Sequence, residues 1–175
     1  ENISWLGAFF LSFSTRTAGF STYPLGNFSS AGLLVVIILM FIGASPGSTG
    51  GGIKTSTFFV LLQGIKSAAT NKSEKAFSKA AIITAIGAAI VLTGTYIMLV
   101  LQPELSFIDV FFEVTSAFST SGLSTGITQQ LGMGAKLLSI IIMYAGRLGP
   151  LTIVTVWYFS KGERVSYPEG NISVG

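Results

Sequence analysis

The polar pattern Thr-x-Gly-x-Ser-Thr occurs twice in this chain, as Thr17-Ala18-Gly19-Phe20-Ser21-Thr22 and as Thr120-Ser121-Gly122-Leu123-Ser124-Thr125. Each copy follows a short apolar segment, residues 3–13 and 107–118. Residue types of this kind suit one chemistry well. Backbone carbonyls turned toward an axis can replace the water around a monovalent cation. Glycine reaches the backbone angles that this requires and lets neighbouring loops come close. A short helix ahead of such a loop aims its partly negative C-terminal end at the ion. One such glycine taken alone reads more readily as a helix terminator; its duplication reverses that judgement in favour of ion binding. A shift of 103 residues lays 9–43 on 112–146 without a gap. The identical pairs are Phe9/Phe112, Thr17/Thr120, Gly19/Gly122, Ser21/Ser124, Thr22/Thr125, Leu34/Leu137, Ile37/Ile140, Ile38/Ile141, Met40/Met143 and Gly43/Gly146. Apolar matches come cheaply in apolar helices, but the polar cluster does not.

Two further features bear on the same chemistry. The run Gly43-Ala44-Ser45-Pro46-Gly47-Ser48-Thr49-Gly50-Gly51-Gly52-Ile53-Lys54-Thr55 breaks an apolar stretch at mid-length. Irregular backbone at membrane depth must be buried in protein or line water. The run is read as a flexible flap beneath the loops, with Lys54 as a movable positive charge. The competing reading is a tightly packed helix kink built of small residues. A phosphate loop is excluded, because Ile53 separates Gly52 from Lys54 and no strand precedes it. Arg147 lies in an apolar stretch one residue past the matched Gly43/Gly146 pair, which places it level with the break. It reads either as an electrostatic latch under the loops or as a structural partner for a carboxylate or helix carbonyls.

Composition sets the solvent. Half of the 175 residues are hydrophobic and only 10% are charged, with a mean hydropathy of +0.71. A soluble domain carries about 25% charged residues, so most of this surface is expected to face lipid. The chain has no cysteine and no histidine. Thiol chemistry, Cys/His metal sites and histidine acid–base catalysis are therefore excluded. No nucleophile–base pair suggests an enzyme, and no nucleic acid partner is expected. The chain opens with Glu1 rather than Met, directly before an apolar segment, and is expected to be the C-terminal piece of a longer chain.

The elements that must position these residues follow from segment length. Residues 3–13 and 107–118 are too short to cross a core of about 30 Å. Residues 31–62 are long enough but broken at 43–52, and 137–159 are long enough with Arg147 near the middle. Residues 80–101 form an uncharged stretch bounded by Lys79 and Pro103, the clearest spanning helix. Lys66, Lys72, Lys75 and Lys79 against Glu74, together with Lys161 and Arg164 in the tail, place both segments on the cytoplasmic side. Glu104, Asp109 and Glu113 then fall outside, where they could concentrate cations; a solvated loop is the blander reading for Glu104. Ser106 and Asp109 form a helix-start signal for the second short helix. The two copies thus share one orientation and form a parallel repeat. The expected fold is an all-α membrane protein of repeated helix–pore-helix–helix units around a central pore. Residues 1–65 supply a pore-loop unit lacking its first helix, 66–79 a cytoplasmic linker, and 80–175 a complete unit with a short cytoplasmic tail.

The segments Thr15-Arg16-Thr17-Ala18-Gly19-Phe20, Gly43 to Thr55, Ser116 to Gly126 and Gly146-Arg147-Leu148-Gly149-Pro150 occur in order and resemble the Trk/Ktr/HKT potassium transporter superfamily. The closing Tyr167-Pro168-Glu169-Gly170 and short tail resemble the Ktr-type bacterial membrane subunit. The resemblance covers nearly the whole chain. It implies a multi-pass subunit of the plasma membrane with four such units around one pore, of which this chain supplies most of the third and all of the fourth. It implies a selectivity filter of Thr17, Ala18, Gly19 and Phe20 with Thr120, Ser121, Gly122 and Leu123, holding K+ at the backbone. It implies a gating loop over 43–54 and an arginine, Arg147, facing that loop. As partners it implies the N-terminal remainder of the same subunit, a homodimer and a cytoplasmic nucleotide-binding regulatory ring. No covalent cofactor is expected; K+ is the transported ion, and any Na+ or nucleotide dependence would enter through the system. Two loops cannot surround an ion fourfold, so preference for potassium over sodium rests on the resemblance. A secondary symporter and a non-conducting scaffold are the competing functions. The symporter would favour inverted repeats, and the scaffold would need no glycine in the loops.

Overall fold

The computed structural model describes residues 3–67 and 74–149. The described residues form six α-helices and no strand: α1 (Trp5–Ser14), α2 (Ser30–Phe41), α3 (Thr55–Ser67), α4 (Glu74–Leu101), α5 (Phe107–Ser119) and α6 (Met133–Leu148). Short 3-10 turns, Leu25–Asn27 and Ile127–Gln129, precede α2 and α6. Both copies of the repeat therefore show the same order: short helix, loop, 3-10 turn, longer helix.

Local sequence accounts for the helix starts. Ser4 caps α1 by accepting the Gly7 N–H at 3.1 Å, and Ser29 caps α2 by accepting the Gly32 N–H at 3.2 Å. The start expected at Ser106 is present, with Asp109 in the first turn of α5, but the Ser106 side chain makes no capping bond. The apolar stretch 31–62 is divided into α2 and α3, as its glycines require. Helix α6 begins at Met133, four residues before the apolar run; Gly134 and Lys136 dilute the hydropathy of its first turn. The expected span to 159 runs beyond the described residues, as do residues 150–175 with Lys161, Arg164 and the Tyr167–Gly170 motif. Residues 68–73 of the expected linker also lie outside them.

One helix among the described residues, Phe77–Leu101 within α4, is long and apolar enough to cross a membrane. The packing is organised around α5. This helix is about 20 Å long, contacts α2, α4 and α6, and is buried from Phe112 to Ser119. Val91, Met98, Val110, Val114, Phe118 and Ile142 form one cluster on its α4–α6 side. Leu11, Leu33, Ile37, Met40, Phe112 and Leu123 form a second between α1, α2 and α5. In lipid, where apolar burial alone does not drive helices together, such contacts stabilise through dispersion and close approach.

Gly146 marks the tightest approach. A methyl group there would overlap the Phe118 carbonyl and lie 3.1 Å from the Phe118 Cα. The backbone of α5 has no side-chain freedom with which to yield. Gly146→Ala is therefore expected to separate α6 from α5 at a cost of about 1–3 kcal/mol. A lowered thermal unfolding midpoint of the purified full-length protein would register it, and an unchanged midpoint would contradict the packing.

Candidate functional site

The two glycine loops have the same backbone signature. Thr17 (φ 70°) and Gly19 (φ 75°) are left-handed in the first, and Thr120 (φ 54°) and Gly122 (φ 83°) in the second. Left-handed threonine is uncommon and costs about 1–2 kcal/mol per residue, so its recurrence at matched positions is a built feature. The loops also meet. A methyl group on Gly19 would sit 2.9 Å from the Ser121 carbonyl oxygen, and one on Gly122 would sit 3.2 Å from the Gly19 Cα.

Each loop is held from behind by a serine near the end of the preceding helix. Ser14 donates its hydroxyl to the Phe20 carbonyl and accepts the Phe20 N–H at 2.9 Å. Ser116 donates to the Leu123 carbonyl at 2.5 Å. The serine carbonyls accept as well, from Gly19 N–H at 3.4 Å and from Ser121 N–H at 3.1 Å. Ser121 Oγ–H in turn points at the Met40 sulfur at 3.0 Å. By contrast, the carbonyl oxygens of Thr17, Ala18, Gly19, Thr120, Ser121 and Gly122 accept no hydrogen bond among the described residues. Ala18 and Gly122 are exposed and Thr17, Gly19 and Thr120 half-buried, so these acceptors stay open to water or an ion where the two loops touch. The carbonyls of Phe20 and Leu123 each hold a serine hydroxyl yet retain a second lone pair.

The broken segment lies against these loops. Its ends are joined by a parallel bridge between Ile42 and Ile53, with Gly43 N–H bonded to the Ile53 carbonyl at 2.8 Å. Ser45, Pro46, Gly47, Ser48 and Thr49 are exposed, whereas Gly43, Gly50, Gly51 and Gly52 are buried. Gly51 donates its N–H to the Thr120 hydroxyl at 2.9 Å, 69 residues away in sequence. A methyl on Gly50 would come within 2.7 Å of Thr17 Cγ2, and one on Gly51 within 2.8 Å of the Phe118 carbonyl oxygen. Lys54 is half-buried, and its ammonium donates to the carbonyls of Ser48 at 2.9 Å and Gly50 at 2.6 Å. It tethers its own loop.

Sequence reasoning missed the bonds made by Arg16 and Glu113. Arg16 Nη1 reaches the Gly43 carbonyl at 3.4 Å and ties the first glycine loop to the start of the broken segment. Glu113, expected among the charges of an outer mouth, is buried and accepts from the hydroxyls of Ser124 (2.8 Å) and Thr128. Arg147 is exposed on α6 and has no hydrogen bond or ion pair among the described residues. Its neighbour Gly146 and the loop's Gly51 both abut the Phe118 carbonyl, so the arginine lies level with the break without a bond to it.

Comparison with known proteins bears on what such a site does. The TrkH family, described as a cation transport protein, matches residues 2–161. The chain belongs to this family. Among its relatives, the Ktr system potassium uptake protein B of Vibrio alginolyticus is 39% identical over 182 residues, covering 98% of this chain and 40% of that protein. The protein of the same name from Bacillus subtilis (strain 168) is 32% identical, covering 96% of this chain and 40% of its own length. The potassium/sodium uptake protein NtpJ of Enterococcus hirae is 35% identical, covering 95% of this chain and 41% of its own length. The chain thus spans about two fifths of the relatives it matches. As a TrkH-family chain it sits among ion and potassium transport proteins rather than among enzymes.

Proposed function

We propose that this chain contributes two of the pore loops of a plasma-membrane potassium uptake subunit, with K+ carried past the backbone carbonyls of 17–20 and 120–123. The observation that carries this reading is the pair of touching loops, whose carbonyls at 17–19 and 120–122 accept no hydrogen bond among the described residues. Carbonyls in this condition suit a dehydrated cation, which supplies the missing partner. The segment 43–54, hydrogen-bonded to Thr120 and packed on Thr17, is the gate beneath them. Arg147 stands level with it as a positive group at the pathway.

Matched positions of the repeat favour further units around the same axis. Ile37 and Met40 on α2 are 4% and 0% exposed against α5 and its loop, whereas their matches Ile140 and Met143 on α6 are 59% and 47% exposed. Phe9 on α1 is exposed where its match Phe112 is fully buried. Both faces ask for the neighbours that α2 and α5 give each other. The remainder of the same subunit fills them in this reading, closing a ring of four helix–pore-helix–helix units in a multi-pass chain with its C-terminus in the cytoplasm. A homodimer on a cytoplasmic nucleotide-binding ring completes the system.

Expression of the complete parent chain with its regulator in bacteria lacking potassium uptake tests this. Growth at low external potassium supports the reading. No growth, with the protein present in the membrane, returns the scaffold reading.

A further inference from the structure

Glu113 has no role in the pathway described so far, yet its surroundings are specific. It lies on α5, three residues before Ser116, so the two side chains share a face of the helix. The residue is 8% exposed. One oxygen accepts from Ser124 Oγ at 2.8 Å and the other from Thr128 Oγ1. Ser124 Oγ lies 2.8 Å from Thr128 Oγ1 and accepts the Gly126 N–H at 3.0 Å. The stretch following the second glycine loop is thereby pinned to α5 at one level, while Ser116 pins Leu123 one turn further on.

No cation offsets this charge among the described residues: Lys136 lines the same cleft but makes no ion pair. That cleft, of about 500 Å³, is also lined by Glu113, Thr120 and Gly122. The carboxylate and the second loop therefore border one space. The first copy lacks the arrangement. Phe10 stands at the position of Glu113 and Leu25 at that of Thr128, and Ser21 donates to the Tyr23 carbonyl instead. The charge behind the filter is confined to one loop.

We propose that Glu113 is a positioning residue of the second loop, holding it through Ser124 and Thr128, and that its negative charge raises the affinity of that loop for a monovalent cation. This rests on the reading of 120–123 as filter. A mostly buried carboxylate is screened less than a surface one, so part of its field reaches the second loop across the cleft they share. Hydrogen bonds to a charged group are also about twice as strong as neutral ones, which fixes the loop at that level.

The test is potassium uptake by the complete parent transporter with its regulator, comparing Glu113→Gln, Thr128→Val and the double variant, with Gly122→Val as control. Glu113→Gln keeps the shape and removes the charge. Its KM for potassium is expected to rise about tenfold, with the maximal rate within about twofold, and its preference for K+ over Na+ to fall. Thr128→Val keeps the charge and loosens the loop, so selectivity falls with a smaller change in KM. The double variant should lose less than the sum of the two, since both act through one bond. An unchanged KM and ion preference in folded Glu113→Gln, with Gly122→Val silent, overturns the proposal and leaves the filter reading standing. Full flux in Gly122→Val removes the filter reading and this proposal with it. Should Glu113→Gln fail to fold, unchanged KM and selectivity in Thr128→Val overturn the proposal.

Discussion

Replacing Gly122 with valine is expected to reduce potassium flux to background while the protein still inserts and folds. The glycine has φ 83°, a left-handed conformation that a β-branched residue resists by about 1–2 kcal/mol or more. Its Cβ would stand 3.2 Å from the Gly19 Cα, so relief of the strain must move one loop against the other. A cost of this size is tolerable against a folding stability of about 5–15 kcal/mol. It is not tolerable for the proposed filter, whose carbonyls must match an ion. Gly19→Val should act alike, since its Cβ would meet the Ser121 carbonyl oxygen at 2.9 Å. Isotope uptake compared with membrane abundance measures both effects. Undiminished flux in either variant would sink the filter assignment.

The second large effect is expected from the broken segment, in the opposite direction. Deleting 47–52 should raise flux severalfold, because it removes the backbone packed under Thr17 and Thr120. Two substitutions approach the same state more gently. Gly50→Val would push against Thr17 Cγ2 at 2.7 Å and Ala44 Cβ at 2.9 Å. Thr120→Val takes away the acceptor of the Gly51 N–H. One hydrogen bond contributes about 0.5–1.5 kcal/mol, so Thr120→Val should shift the closed-to-open balance by about two- to tenfold. Single-channel or bulk flux recordings decide. Lower or unchanged flux in all three would make the segment a structural kink rather than a gate.

The parts of this arrangement that were legible in the sequence are those written in backbone-permissive residues. The duplicated Thr-x-Gly-x-Ser-Thr pattern anticipated loops of one kind, and the structure gives both the same left-handed pair of residues. The glycine-rich run anticipated the division of α2 from α3. The side-chain bonds were not legible, and the serine clamps show why. Ser14 matches Ala117 in the repeat, and Ser116 matches Phe13. Their registers differ by one, yet both hydroxyls reach the matched carbonyls of Phe20 and Leu123. A gap-free comparison of the two copies sees no conserved clamp. The Thr120–Gly51 bond joins residues 69 apart, and no local pattern marks such a pair. Glu113 misled for a related reason. With the other acidic residues of its region it read as a charge that could concentrate cations at an outer mouth, but the hydroxyls that bind it sit eleven and fifteen residues further on.

The central claim is that these two loops form part of a potassium-selective path. Its most direct test is ion flux into liposomes holding the complete parent chain and its regulator, with potassium and sodium compared under the same gradient. Potassium flux well above sodium flux is expected, lost in Gly19→Val and in Gly122→Val alike. Folded protein that passes neither ion would contradict it and leave the glycine loops as packing devices.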